Sequence, residues 1–255
     1  MKKINYEDKI KIMSEGGHLL ADALAKVVAI AKPGITTLEL DKEAEKWLLA
    51  TGGKCAFKTV EDYRWSTCIN INDGIVHGIP NKRVIKDGDV VSIDIGLLYK
   101  GYFTDTSTSL IAGNGSKENM DLLNIGKLAL DNAIAEARIG NRIGHISLAI
   151  QNTLNEYGLR AIPELTGHGV GEELHEKPFV PGYLVGDVMN TPVIYEGQTL
   201  AIEVIYTSGS PKMIIEDDGW TISTKDGKIS GLFEETVAVL KDGPRILTLP
   251  TDNNF

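Results

Sequence analysis

Two stretches of this chain share the same punctuation 106 residues apart, and that distance limits the folds that can hold them. Gly34 aligns with Gly140, Leu40 with Ile146, Ala44 with Ile150, Leu48 with Leu154 and Gly52 with Gly158. Each copy reads as a glycine turn, a helix with apolar residues at helical spacing, and a glycine stop. Solenoids repeat every 20–50 residues or so. A repeat near half the 255-residue length instead predicts one domain, 1–255, built from two pseudo-symmetric halves, about 1–115 and 116–255. No low-complexity linker parts them.

The elements around the repeat follow from periodicity. Residues 7–31 place Ile10, Met13, Leu19, Leu20, Leu24, Val27 and Val28 at helical spacing, and Lys32-Pro33-Gly34 ends that helix. A second helix starts near Thr37, the expected N-cap, and runs through Leu40, Ala44, Trp47 and Leu48 to Gly52-Gly53. From Cys55 to Leu110 the segments TCININD, GDVVSIDIGLLY and GYFTDTSTSLI alternate or run β-branched. Lys117 to Glu136 is helical again, the repeat's second helix follows, and strands return from Leu159 to Leu249. The expected fold is α+β: one curved antiparallel sheet, two pseudo-twofold-related helix pairs on its outer face, and an inner face left for a site.

Composition removes several functions. A net charge of −9 with no basic stripe disfavours nucleic acid and anionic membrane as partners. Two cysteines, Cys55 and Cys68, with no CxxC, argue against a disulfide scaffold and fit a reducing cytosol. The N-terminal MKKINYEDKIKIM is charged and lacks the apolar segment of a signal peptide. Leu19 to Ala31 is interrupted by Asp22 and Lys26, so it is no membrane span. A cytoplasmic location is expected.

Acids break three apolar runs: Asp94 in VVSIDIGLL, Glu203 in QTLAIEVIY and Glu234 in GLFEETVAVL. A carboxylate in a buried strand is costly unless paired or metal-bound, and Lys and Arg are scarce in these strands. Asp94 and Asp105 flank the turn Tyr99-Lys100-Gly101. A turn centred between Tyr99 and Lys100 sets the two aspartates directly opposite, where like charges repel and cations would compensate. A bulge shifting the register, with one aspartate solvated, is the other reading. His168 lies between Gly167 and Gly169 in TGHGVGEELHEKP, His175 follows seven residues on, and His77 sits in INDGIVHGIP. Taken singly, each reads as a surface or satisfied histidine. His18 and His145 fall in helices and read the same way. Together Asp94, Asp105, His168, Glu203 and Glu234 form a hard, oxygen-rich set suited to two divalent ions and hydrolysis.

With these residues placed, the chain resembles a type I methionine aminopeptidase of the pita-bread (creatinase/aminopeptidase-like) fold. The matching stretches are PGITTLELD, STCININDGIVHGIP, VVSIDIG, GYFTDTS, TGHGVGEELHEKP, LAIEV, DDGWTISTKDG and FEETVAVL, in family order over nearly the whole length. The resemblance implies a metal-dependent exopeptidase that removes the initiator methionine of nascent chains and Met-starting peptides, preferentially before a small second residue. Asp94, Asp105, His168, Glu203 and Glu234 would be the metal ligands, with Asp105 and Glu234 bridging two ions of Co, Mn, Fe or Zn. Glu203 would shuttle a proton, His175 would stabilise the oxyanion and His77 would contact the scissile amide. Tyr63, Cys68, Leu174 and Trp220 would line the methionine pocket, and a monovalent cation would lie near Asn72 and Ser230. A monomer in transient contact with the ribosome is expected, resembling the short bacterial form.

Some positions depart from the family pattern. Val204 follows Glu203 where proline is usual, Glu235 follows Glu234 where histidine is usual, and Leu174 stands where bacterial members often carry Phe. Two residues are inserted between Cys55 and Cys68. Glu235 is expected to add negative charge near the site and to alter metal affinity. The rival readings are a proline-specific aminopeptidase or dipeptidase of the same fold, and a non-catalytic pita-bread binding module.

Overall fold

The computed structural model describes residues 5–251. Residues 1–4, which begin the charged N-terminal stretch, lie outside them. Helix α1 (Tyr6–Ile30) and helix α2 (Thr37–Ala50) open the chain, followed by strands β1 (Lys54–Cys55), β2 (Thr67–Ile71), β3 (Gly74–Val76), β4 (Val90–Tyr99) and β5 (Tyr102–Ile111). The second half runs α3 (Lys117–Ala135), α4 (Ile143–Glu156), β6 (Arg160–Ala161), β7 (Thr166–Gly169), β8 (Glu176–Pro181) and β9 (Thr199–Thr207). It ends with β10 (Met213–Ile215), β11 (Ile222–Thr224), β12 (Ser230–Leu240) and β13 (Gly243–Ile246).

The repeat is visible residue by residue. Adding 106 to the bounds of α2 gives those of α4, and the same offset carries β1 onto β6. Gly34 and Gly140 both take positive φ (102° and 86°), as do Gly52 and Gly158 (81° and 76°), so each copy turns on residues without a Cβ penalty. The start of α2 differs by one residue from expectation. Thr36 is the N-cap: its hydroxyl accepts from Glu39 N at 3.2 Å while Glu39 Oε2 accepts from Thr36 N at 2.8 Å. This reciprocal box is worth about 1 kcal/mol. Thr37 is buried instead, its hydroxyl donating to Asn81 O.

Ten strands form one antiparallel sheet, with the path β1-β4-β5-β12-β9-β7-β8 and β2, β6 and β13 paired off it. The halves meet where β5 pairs β12. Helices α1 and α2 cover the first half, where Leu20, Leu40, Leu48, Ile93 and Ile95 form one apolar cluster. Helices α3 and α4 cover the second, where Leu130, Ile146, Ile150, Val204 and Tyr206 form another. The strands do not all pool into that sheet, as the sequence reading expects. β3, β10 and β11 make a separate three-stranded sheet; the chain turns at Asn72 (φ 59°) between β2 and β3 and at Gly219 (φ 78°) between β10 and β11.

The β4–β5 hairpin also corrects a register. Tyr99 pairs Tyr102, and Lys100 and Gly101 alone form the turn with φ of 49° and 90°, the two positive values that suit a tight two-residue hairpin turn. The turn lies one residue later than expected. Asp94 therefore opposes Ser107, and Asp105 opposes Gly96. The aspartates are diagonal neighbours on one face, and no bulge intervenes.

Candidate metal centre

Register alone draws the acids together. Asp94 on β4 pairs Ser107 on β5, Ser107 pairs Glu234 on β12, and Glu234 pairs Glu203 on β9. Partners on neighbouring strands point to one face with backbones about 4.8 Å apart, so this row crosses the centre of the sheet's inner face. Asp105 lies two residues from Ser107, on the same face. His168 on β7 pairs Ala201, two residues before Glu203. All five line one cavity of about 190 Å³, together with His77, His175, Tyr63, Cys68, Leu174 and Trp220. Every residue expected to ligate metal, contact substrate or move a proton thus borders the same space, whereas Asn72 and Ser230 lie outside its lining. Among the described residues, larger grooves, including one of about 820 Å³ between α1 and α3, gather no comparable donor set.

The electrostatics of the row are severe. Asp105 and Glu234 are buried, while Asp94 and Glu203 are open only in part, towards the cavity. Burial raises the Asp94 carboxyl to about 7, against an opposing hydrogen bond with Asp105. Burial, then the charges of Asp94 and Glu203, pushes Asp105 well above the usual carboxylate range. Glu203 is raised by burial and Asp94, and Glu234 by burial and the charges of Asp105, Glu203 and Asp94. No lysine or arginine lines the cavity among the described residues. Asp94 Oδ1 and Glu234 Oε1 are buried without a hydrogen-bond partner. Asp105, His168 and Glu234 each offer a ligand atom, all within 4.8 Å of one another. Orphaned carboxylate oxygens beside an imidazole fit divalent cations, which would supply the missing positive charge.

The histidines are set as neutral bases. Burial lowers His168 to about 4, with the neighbouring His175 adding to the effect. Its Nδ1 lies 2.9 Å from Gly169 O, which can only accept, so Nδ1 carries the proton and Nε2 keeps its lone pair. His175 stands edge-on to it with ring centroids 4.4 Å apart. Both His175 and His77 stand exposed at the rim of the cavity, where partial desolvation by its walls lowers them as well. His77 holds φ at 58°, a left-handed conformation uncommon outside glycine, at the end of β3. The two helical histidines are structural: His18 Nδ1 donates to Leu249 O, and His145 Nδ1 accepts from Arg142 N at the start of α4.

Beside the acids the cavity has an apolar wall. Tyr63 packs edge-on to Trp220 at 5.1 Å and to Phe57 at 6.4 Å. Burial holds the Cys68 thiol well above its usual range, so it stays protonated. Phe57, Val60 and Val76 also line this wall. Sequence reading missed them, though Phe57 and Val60 lie in the segment where the insertion was noted. Two departures point elsewhere. Glu235 alternates with Glu234 and faces the helices, accepting from Thr248 Oγ1 and Thr106 Oγ1. Its carboxylate is off the cavity face, and its charge still adds to the upward shift of Glu234, in line with the expected negative charge near the site. Val204 likewise packs among the α3–α4 core. Asn72 and Ser230 adjoin: Ser230 N donates to Asn72 O at 2.9 Å.

Comparisons with known proteins bear on the family and the fold. Residues 11–241 match the profile of metallopeptidase family M24. The methionine aminopeptidase of Aquifex aeolicus is 41% identical over 247 residues, covering 94% of this chain and 96% of that one. The crystal structure of methionine aminopeptidase from Thermotoga maritima superposes with a TM-score of 0.92 at 34% identity, covering 97% and 99% of the two chains. The prolidase from Pyrococcus furiosus shares the fold at a TM-score of 0.75 and 20% identity, and this chain spans 65% of its length.

Proposed function

We propose that this chain, which belongs to metallopeptidase family M24 and within it to the methionine aminopeptidases, removes the N-terminal methionine from nascent proteins and peptides, preferentially before a small second residue. The observation that carries this reading is the convergence of Asp94, Asp105, His168, Glu203 and Glu234 on one cavity beside an apolar wall. These five residues would hold two divalent ions, with Asp105 and Glu234 shared between them. The donor set accepts Mn, Fe, Co or Zn. Bound there, the ions supply Lewis acidity to the scissile carbonyl and acidify water.

The chain's own groups do the rest. Glu203, ionised as a ligand of the loaded site, takes the proton of the attacking water and delivers it to the departing amine. Neutral His175 donates N–H to the oxyanion as it develops, and His77 holds the scissile amide. Tyr63, Cys68, Leu174 and Trp220 receive the thioether side chain against an apolar wall. A monovalent cation would brace the turn near Asn72 and Ser230. No helix among the described residues is long and apolar enough to cross a membrane. The reading places the chain in the cytoplasm as a monomer that meets nascent termini near the ribosome.

The test is a comparison of Met-Ala-Ser with an Xaa-Pro peptide on metal-reconstituted protein. Release of methionine from the first, falling as the second residue grows, is expected. Faster cleavage of the Xaa-Pro bond would favour a proline-specific enzyme of the same fold, and no cleavage of either a binding module.

A further inference from the structure

The two halves match in their helices and differ where the cavity wall is built. After β1 the first half runs through residues 56–66 before β2, whereas the second half uses only 162–165 between β6 and β7. The longer stretch carries Phe57, Val60 and Tyr63 to the cavity.

A buried polar residue behind that stretch breaks the symmetry in the same sense. Asp41 on α2 is 4% exposed, and its Oδ1 accepts from Ser66 N at 2.8 Å, Thr67 N at 3.0 Å and Thr67 Oγ1 at 2.9 Å. Its counterpart 106 residues on, Ser147, is 2% exposed and, among the described residues, its hydroxyl bonds within α4, to Ile143 O. A carboxylate buried in a helix face is costly, so these three bonds are a specific feature of the first half. They continue towards the cavity. Tyr63 Oη donates to Thr67 O at 2.8 Å, and with that proton committed the Cys68 thiol, 3.2 Å away, donates to Tyr63 Oη. None of Asp41's bonds reaches the acids of the metal centre.

We infer that Asp41 is a positioning residue that clamps the segment after β1 to α2, so that Tyr63 and Cys68 form a fixed wall for the first side chain of the substrate. The nature of that side chain rests on the proposed reaction. The clamp acts on binding of the side chain and not on the chemical step.

The test compares Asp41→Ala and Asp41→Asn with Ser147→Ala as the matched control, all metal-reconstituted. Losing charge-assisted bonds at the wall should raise KM for Met-Ala-Ser about tenfold in Asp41→Ala, with kcat within about twofold. Asp41→Asn keeps an acceptor oxygen and should recover most of that loss, and Ser147→Ala should leave KM unchanged. Alkylation of Cys68, located by peptide mass, should be faster in Asp41→Ala and near the wild-type rate in Asp41→Asn. Should Asp41→Ala fail to fold, Thr67→Val, which removes one of the three donors, should show the same two changes more weakly. A KM equal to wild type, a fall in kcat as large as the rise in KM, or unchanged Cys68 alkylation would overturn the inference. Wild-type protein inert towards Met-Ala-Ser would count against the reaction, and the alkylation rates would then decide the clamp alone.

Discussion

Glu203 and Glu234 are register partners across β9 and β12, with both carboxyls on the inner face of the sheet and burial raising both. Opposed acids on adjacent strands repel, and desolvation deepens the penalty. Protons relieve this crowding in the metal-free protein, and divalent cations relieve it in the loaded one.

Metal-free protein should therefore lose stability as pH rises. The folded pKa of Asp94, about 7, exceeds its ordinary value of 3.8, so the folded chain holds a proton that the unfolded chain releases. The resulting stabilisation is complete below about pH 4 and disappears as pH passes through about 7. Asp105, Glu203 and Glu234 shift in the same direction and reinforce it. Thermal melts of chelator-treated protein should show Tm falling from pH 5 to pH 8, with Mn²⁺ restoring it at pH 8. A flat or rising profile would contradict the crowding.

Asp105→Ala and Glu234→Ala should each abolish turnover and weaken the hold on both ions, because each carboxylate is proposed to serve the pair. Metal content after dialysis, measured by mass spectrometry, should fall below one ion per chain. Full activity in either variant would refute a shared ligand.

His175→Ala should lower kcat by on the order of 10²-fold with KM little changed, since its N–H meets charge that exists only in the transition state. Steady-state kinetics on Met-Ala-Ser separates the two constants. A change confined to KM would assign His175 to ground-state binding.

Gly96→Ala tests the corrected hairpin register. A Cβ there would lie 2.8 Å from Ala56 Cβ, 3.1 Å from Phe57 and 3.3 Å from Asp105 Oδ1. Overpacking of this kind costs about 1–3 kcal/mol, so both Tm and metal affinity should drop. With Asp94 opposite Asp105 instead, Gly96 would lose only its Asp105 neighbour, so Tm would still drop against Ala56 and Phe57 but metal affinity would be kept.

Much of the site was legible because acids inside apolar strands conflict with burial, and the conflict points to an ion. Period-two alternation also carries the information that Glu234 turns inward and Glu235 outward, which leaves Glu235 near the site but off its face. The hairpin register was lost on one residue: Lys100 tolerates positive φ beside Gly101, so the turn closes there and not at Tyr99. The separate three-stranded sheet and the Thr36 cap depend on local geometry that apolar periodicity does not encode. Asp41 passed unnoticed because an acid on a charged helix reads as solvated. Its place on the face of Leu40 and Ala44 was the available signal.

The most direct measurement is anomalous diffraction from crystals grown with Mn²⁺. Two strong peaks inside the cavity, within bonding reach of Asp94, Asp105, His168, Glu203 and Glu234, are expected. No peak there, or a lone ion held by other side chains, would contradict a paired metal centre built from both halves of the chain.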